Sequence, residues 1–238
     1  MISPVSDAAE RRRHLVVAID GPAASGKSST AQWVASELGV RHVDSGALYR
    51  AATASALRRE SESALWTEDF VLSAAADVTL VPGDTTFHAR LAGASIEAEL
   101  RGSDVTSRVF LVAKMPRVRA WVSALVQQAA EGYAVVVDGR DIGTVVFPQA
   151  RLKIFLVADA RERAKRRLIQ RLERQPSETE VAAETTALVH RDAKDESQTQ
   201  QAVDAVLIDT TYLTQEEQVQ RIVALARQVG RSPGVDAG

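Results

Sequence analysis

The 238-residue chain contains no cysteine. That excludes a disulfide framework and a thiolate zinc site, and it suits a reducing compartment. Strong charge of either sign is also missing: 29 Lys and Arg stand against 31 Asp and Glu, a formal net charge of −2. No global basic field therefore points to nucleic acid or to an anionic membrane surface. No apolar run approaches the ~20 residues of a membrane-spanning helix. Met1 to Glu10 is polar and lacks the apolar core of a signal peptide. There is no internal repeat. What is present is an ordinary apolar fraction of 45%, enough to bury a core without staples. The expectation is one α/β domain with an insertion, monomeric and cytoplasmic.

The strongest local signal is Gly21-Pro22-Ala23-Ala24-Ser25-Gly26-Lys27-Ser28, followed by Ser29 and preceded by the apolar run Leu15 to Ile19. It fits G-x-x-x-x-G-K-[ST], the P-loop pattern, between a buried strand and a helix. Gly21 and Gly26 allow backbone angles that side chains forbid and bring N–H groups toward a polyphosphate. The N-terminus of the following helix adds partial positive charge. Lys27 reaches the β- and γ-phosphates, and the Ser28 hydroxyl completes a Mg²⁺ shell. The pattern predicts a bound nucleoside triphosphate.

Periodicity organises the rest. Residues 1–13, with Arg11-Arg12-Arg13 as a solvated flank, read as a disordered leader, and 230–238 as a disordered tail. A helix runs from Ser28 to Leu38, a strand from Val40 to Val43, and a helix from Ala47 to about Arg59. Val78, Leu80 and Val81, then residues 86–91, then 95–97, alternate around tight turns and predict a small antiparallel sheet, with His88 as a surface strand residue. Pro116 opens a helix to about Gly132; strands follow at 133–137 and 152–157. Two very polar helices, 160–174 and 178–191, precede a last strand at 205–208 and a helix capped by Thr214 that runs to Gln228. Strands alternating with helices predict a doubly wound, mostly parallel five-stranded sheet. Ligands then gather at the carboxyl ends of its strands, where Gly21, Asp44 and Asp138 fall together.

A kinase for a phosphorylated acceptor must hold two anions and needs cations beyond Lys27. Arg50, Arg119 and Arg140 are expected to stand in loops rather than on helix surfaces, where a guanidinium can take a phosphate bidentately. The segments that carry them resemble a known family. Asp44-Ser45-Gly46-Ala47-Leu48-Tyr49-Arg50 is similar to the run after the P-loop in bacterial cytidylate kinases, of the nucleoside monophosphate kinase superfamily. Asp138-Gly139-Arg140-Asp141, continuing to Pro148, resembles that family's most distinctive segment. Residues 116–119, Arg191 with Asp195, and residues 204–211 are also similar, so that the likeness spans about 16–227.

The resemblance implies that Gly21 to Ser29 hold ATP, with Lys27, Arg50 and Arg140 acting in catalysis. It implies that Ser45, Arg119 and Asp141 read cytosine, that Arg50 and Arg140 take the acceptor phosphate, and that Arg191 and Asp195 lie on the ribose side. Asp141 as acceptor and Arg119 as donor complement cytosine, whereas uracil offers a carbonyl where Asp141 requires a donor. Asp138 is placed to hold a Mg²⁺-bound water. The layout implied is a core (14–58, 116–159, 205–229), an NMP-binding insertion (59–115) and a helical lid (160–198). The reaction implied is ATP plus CMP or dCMP to ADP plus the diphosphate. Two residues depart from the pattern: Phe110 stands where a serine usually helps hold the pentose, and Gln198 where an arginine usually lies near the base. Alternatives are a P-loop kinase of UMP or of a non-nucleotide acceptor, a nucleotide-binding protein without turnover, and a GTPase-like switch. The last lacks the guanine-reading Asn-Lys-x-Asp motif.

Overall fold

The computed structural model describes residues 15–231. The leader and most of the tail expected from the sequence lie outside the described residues. In chain order the elements are β1 (Val16–Asp20), α1 (Lys27–Leu38), β2 (Arg41–Asp44), α2 (Ser45–Arg59), α3 (Glu68–Ala74), β3 (Val78–Pro82), β4 (Phe87–Leu91), β5 (Ala94–Ser95), α4 (Glu97–Leu100), α5 (Ser103–Val112), α6 (Pro116–Gly132), β6 (Val135–Asp138), β7 (Leu152–Val157), α7 (Ala160–Leu172), α8 (Glu178–Asp195), β8 (Val206–Asp209) and α9 (Gln215–Arg231).

β1, β2, β6, β7 and β8 form one sheet in the order β2-β6-β1-β7-β8, and every pairing in it is parallel. Both faces must then be covered, which is why its strands read as continuous apolar runs. Val17 and Ile19 of β1 join Val34 of α1 and Ile222 of α9 on one face. Ala18, between them, joins Leu48 of α2 and Val122 of α6 on the other. That alternation is the strand's two-residue period written across a two-sided core. Each aliphatic side chain so buried contributes about 1.5–3 kcal/mol.

The antiparallel sheet β3-β4-β5 is the expected insertion, and His88 on β4 faces Glu97 at 3.4 Å. Helices α3, α4 and α5 around it were not expected. A readable signal for α3 did exist, because the Thr67 hydroxyl accepts from Phe70 N at 3.2 Å ahead of Glu68 and Asp69. A third apolar cluster joins Leu168 of α7 and Val181 and Leu188 of α8 to Ala23 of the P-loop. The polar helical pair is thus seated on the phosphate loop. Thr214 caps α9 as expected, accepting from Glu217 N at 3.2 Å. That helix runs through Gly230 to Arg231, not ending at Gln228.

Candidate active site

The P-loop leaves β1 at Asp20, and its two glycines serve different physical needs. At Gly21 (φ 147°) an added Cβ would lie 2.2 Å from the Leu156 carbonyl oxygen, so the neighbouring β7 excludes any side chain there. Gly26 (φ 85°) caps α1 in the left-handed region, where little lies within 4 Å of a Cβ; conformation, not space, demands glycine. Ala24 is also left-handed, at φ 57°, a strained angle for a side-chain residue that collects at ligand-binding turns. Lys27 is buried, with Nζ donating to Pro22 O at 2.7 Å and to Ser25 Oγ at 3.4 Å. Burial, then the charge of Arg140, push its pKa well below the ordinary lysine value. Ser29 Oγ donates back to Gly26 O at 3.0 Å.

A cleft of about 1020 Å³ opens from this loop. Ala23 to Ser29 line it, together with Ser45, Arg50, Arg119, Arg140, Asp141, Arg191 and Asp195; Gly21 and Pro22 do not. Every acceptor-side residue expected from the sequence therefore shares one cavity with the phosphate loop. The expectation that Arg50 and Arg119 stand in loops is corrected. Arg50 lies in α2 and Arg119 in the first turn of α6. Both reach the cleft because they leave the inward faces of helices that pack on the sheet. Only Arg140, in the turn after β6, stands in a loop.

The cations are held by main-chain oxygens and by each other's counterions. Arg50 Nη1 donates to Thr106 Oγ1 (3.2 Å) and Leu100 O (3.3 Å), both in the insertion. Arg140 Nη1 donates to Gly21 O (3.0 Å), and its Nη2 lies 3.5 Å from Asp195. Arg191 approaches the same Asp195 oxygen at 3.8 Å. Burial, then mutual repulsion, lowers several of these pKa values: Arg191 acts on Arg50, and Arg140 acts on Arg191. Also lining the cleft, Arg119 Nη2 donates to Asp141 Oδ2, and Arg119 Nη1 donates to Gln198 Oε1 at 3.1 Å. Phe110 lines the cleft with its ring 5.8 Å from Lys194 Nζ. Ser45 Oγ donates to Asp138 O at 2.8 Å.

Asp20 braces the turn that follows Asp141. Its carboxylate accepts from Ile142 N (2.8 Å) and Gly143 N (2.7 Å), fixing the wide helical turn 142–146 that follows Asp141. Burial raises the Asp20 pKa to about 6, against those two hydrogen bonds. The sequence reading passed over Asp20, although its place immediately before Gly21 could have marked it.

His42 was passed over as well. Its Nε2 lies 2.7 Å from Asp138 Oδ1, while Ser28 Oγ donates to Asp138 Oδ2 at 2.6 Å. Burial would raise the Asp138 pKa, but the hydrogen bonds from His42 and Ser28 hold it below the usual carboxylate value. Asp44, paired with Asp138 across β2 and β6, is pushed up to about 6 by burial and then by the Asp138 charge. Strand alternation sets His42 and Asp44 on one face of β2, the cue that could have revealed the group.

Ser28 and Asp138 offer adjacent hard oxygens, which suit Mg²⁺. Among the described residues no group of three His, Cys, Asp or Glu could cage a metal ion. The donor set fits a Mg²⁺ held jointly with a nucleotide's phosphates. No helix among the described residues is long and apolar enough to cross a membrane.

A phosphate loop after the first strand of a parallel sheet, facing a cation-lined cleft, defines a P-loop kinase fold. The family model described as cytidylate kinase matches residues 17–228. A cytidylate kinase of Chloroherpeton thalassium is 37% identical over 226 residues, covering 91% of this chain and 95% of that protein. One from Streptococcus pneumoniae serotype 4 is 40% identical, covering 89% and 97%. The chain belongs to the cytidylate kinase family. Among solved structures, a shikimate kinase from Bacteroides thetaiotaomicron aligns with a TM-score of 0.46 at 13% identity, over 90% of this chain and 98% of that one.

Proposed function

We propose that this chain transfers the γ-phosphoryl group of ATP to CMP or dCMP, working as a monomer in the cytoplasm. The observation that carries the reading is the convergence of Lys27, Arg50, Arg140 and Arg191 on one cleft that also holds the Arg119–Asp141 pair. Cations that oppose one another's charge become favourable together only when anions lie between them. Two phosphorylated substrates supply those anions.

In this scheme residues 23–29 cradle the ATP phosphates through main-chain N–H groups, while Gly21 and Pro22, expected to join them, shape the start of the loop from outside the cleft. Lys27 leaves Pro22 O and Ser25 Oγ for the β- and γ-phosphates. Arg50 and Arg140 take the acceptor phosphate, and Arg191 with Asp195 holds the sugar side. Ser45, Arg119 and Asp141 read the base. Asp141 accepts from the exocyclic amine of cytosine and Arg119 donates to its ring acceptors. Residues 59–115 act as the acceptor-binding insertion and 160–198 as a lid over the phosphates.

An acceptor phosphate oxygen forms a bond to the γ-phosphorus as the bond to the β–γ bridging oxygen breaks, and ADP leaves. The attacking oxygen is already ionised near neutral pH, so no side chain has to remove a proton. Positioning and charge neutralisation supply the rate. Ser28 and Asp138 would hold the Mg²⁺ that accompanies ATP, which would supply neutralisation of phosphate charge. An ADP-release assay with ATP, Mg²⁺ and CMP, dCMP, UMP and non-nucleotide acceptors tests the reading. CMP or dCMP should be turned over well ahead of the rest; a preference for any other acceptor overturns it.

A further inference from the structure

His42 has no part in the scheme above, yet it is buried beside the phosphate loop with only 5% of its surface exposed. Both ring nitrogens are engaged. Nε2 meets Asp138 Oδ1 at 2.7 Å and Nδ1 meets Thr86 Oγ1 at 3.2 Å. Its main-chain N donates to Thr85 O at 2.9 Å, so the residue is tied to the turn between β3 and β4 by backbone as well as by ring. Asp138 Oδ2 in turn accepts the Ser28 hydroxyl at 2.6 Å. The chain Thr86–His42–Asp138–Ser28 therefore runs without a gap from the insertion to the P-loop.

We propose that His42 is a positioning residue: it fixes the Asp138 carboxylate, and through it the Ser28 hydroxyl, for the Mg²⁺ that accompanies ATP. This rests on the reading of the P-loop as a MgATP site. The logic lies in how few donors the protein supplies. A carboxylate on a strand end has one soft torsion that swings its two oxygens. Here Nε2–H holds one oxygen and the Ser28 O–H holds the other, so the plane is fixed from both sides. A serine hydroxyl that donates its proton to Asp138 keeps its lone pairs for a cation. Were Oδ1 released, the carboxylate would be free to turn and the hydroxyl would lose its set direction. Partners that orient metal ligands in this way typically contribute 10–100-fold to metal affinity. A residue that only cross-linked β2 to the small sheet would act on stability and leave metal dependence alone.

The test is calorimetric titration with a non-hydrolysable ATP analogue, with and without Mg²⁺, which requires neither acceptor nor turnover. His42→Phe keeps a flat, slightly larger ring at the site and removes both ring hydrogen bonds. It should leave metal-free affinity within about twofold while lowering the Mg²⁺-dependent gain about tenfold. His42→Gln, whose side-chain N–H can still donate to Asp138, should recover most of that gain. A His42→Phe protein with the full Mg²⁺-dependent gain overturns the proposal. If His42→Phe does not fold, Thr86→Val decides: a weakened Mg²⁺ gain supports the chain, and an unchanged one overturns it. A wild-type protein that shows no Mg²⁺ gain at all removes the metal reading itself, and this inference with it.

Discussion

Arg119, in the first turn of α6, and Asp141, in the turn after β6, form an ion pair in the wall of the cleft, with only 22% and 13% of their side chains exposed. Arg119 is held from its other side by Gln198, which follows α8. A partly buried pair with satisfied hydrogen bonds is a ready-made reader for a polar ring edge, because the wrong ring leaves one member unpaired. Asp141→Ala should therefore lower kcat/KM for CMP by about 10²–10³-fold and leave binding of an ATP analogue within about threefold. Acceptor kinetics and ATP-analogue titration, run side by side, check this. Equal losses in both would remove the base-reading role.

Lys27 lines the same cleft, buried and bonded to its own loop. Lys27→Ala should cut turnover by at least about 10³-fold, since a preorganised charge on the transferred group acts mainly in the transition state. Thermal unfolding should be unchanged or slightly higher, because a buried cation whose pKa burial depresses costs the folded state. Near-normal turnover in a folded variant would sink the mechanism.

Phe110 puts an apolar ring in the cleft one helical turn from Thr106, which holds Arg50. A ribose hydroxyl finds no donor or acceptor in that ring. Phe110→Ser should shift the CMP-to-dCMP ratio of kcat/KM toward the ribonucleotide by about 3–10-fold, the worth of one hydrogen bond. An unchanged ratio would place the sugar elsewhere.

The Asp20 carboxyl has a pKa of about 6 in the folded chain against an ordinary 3.8. Between those values the folded state binds more protons than the unfolded state, so its contribution to stability is full below the lower value and is lost as pH rises through the upper one. Asp141 acts in the same direction as burial, and Lys27 against it. In urea unfolding, Asp20→Asn should gain on the wild type by on the order of 2–3 kcal/mol between about pH 4 and pH 7. Asp44 titrates in both proteins and cancels. A gap that does not change with pH would show that Asp20 titrates normally.

Much of this protein was legible in the chain itself. The strand, phosphate loop and helix at 16–38 are contiguous, and their signals are local: an apolar run, two glycines at fixed spacing, then a 3.6-residue period. The Thr214 cap and the small sheet at 78–95 follow from equally local chemistry. The motifs also picked out residues that the fold brings to one cleft, Gly21 and Pro22 excepted, although Arg50 and Arg119 proved to be helical. Arginines on inward helix faces and arginines in loops look alike when a motif is read without its packing.

What only the tertiary structure decided are the pairings between residues far apart in the chain. Ser28 and Asp138 are 110 residues apart, His42 and Asp138 are 96, and Arg119 and Gln198 are 79. The first two depend on the parallel registers that set Ile19 and Asp44 beside Asp138, and no local pattern encodes a register between strands so distant. Even the need for glycine at position 21 has this origin, since the atom that excludes a side chain there belongs to Leu156 on β7. The chain by itself determined the phosphate-loop pattern and where that loop lies. Folding decided which side chains face that loop, because only packing brings distant strand ends to one edge of the sheet.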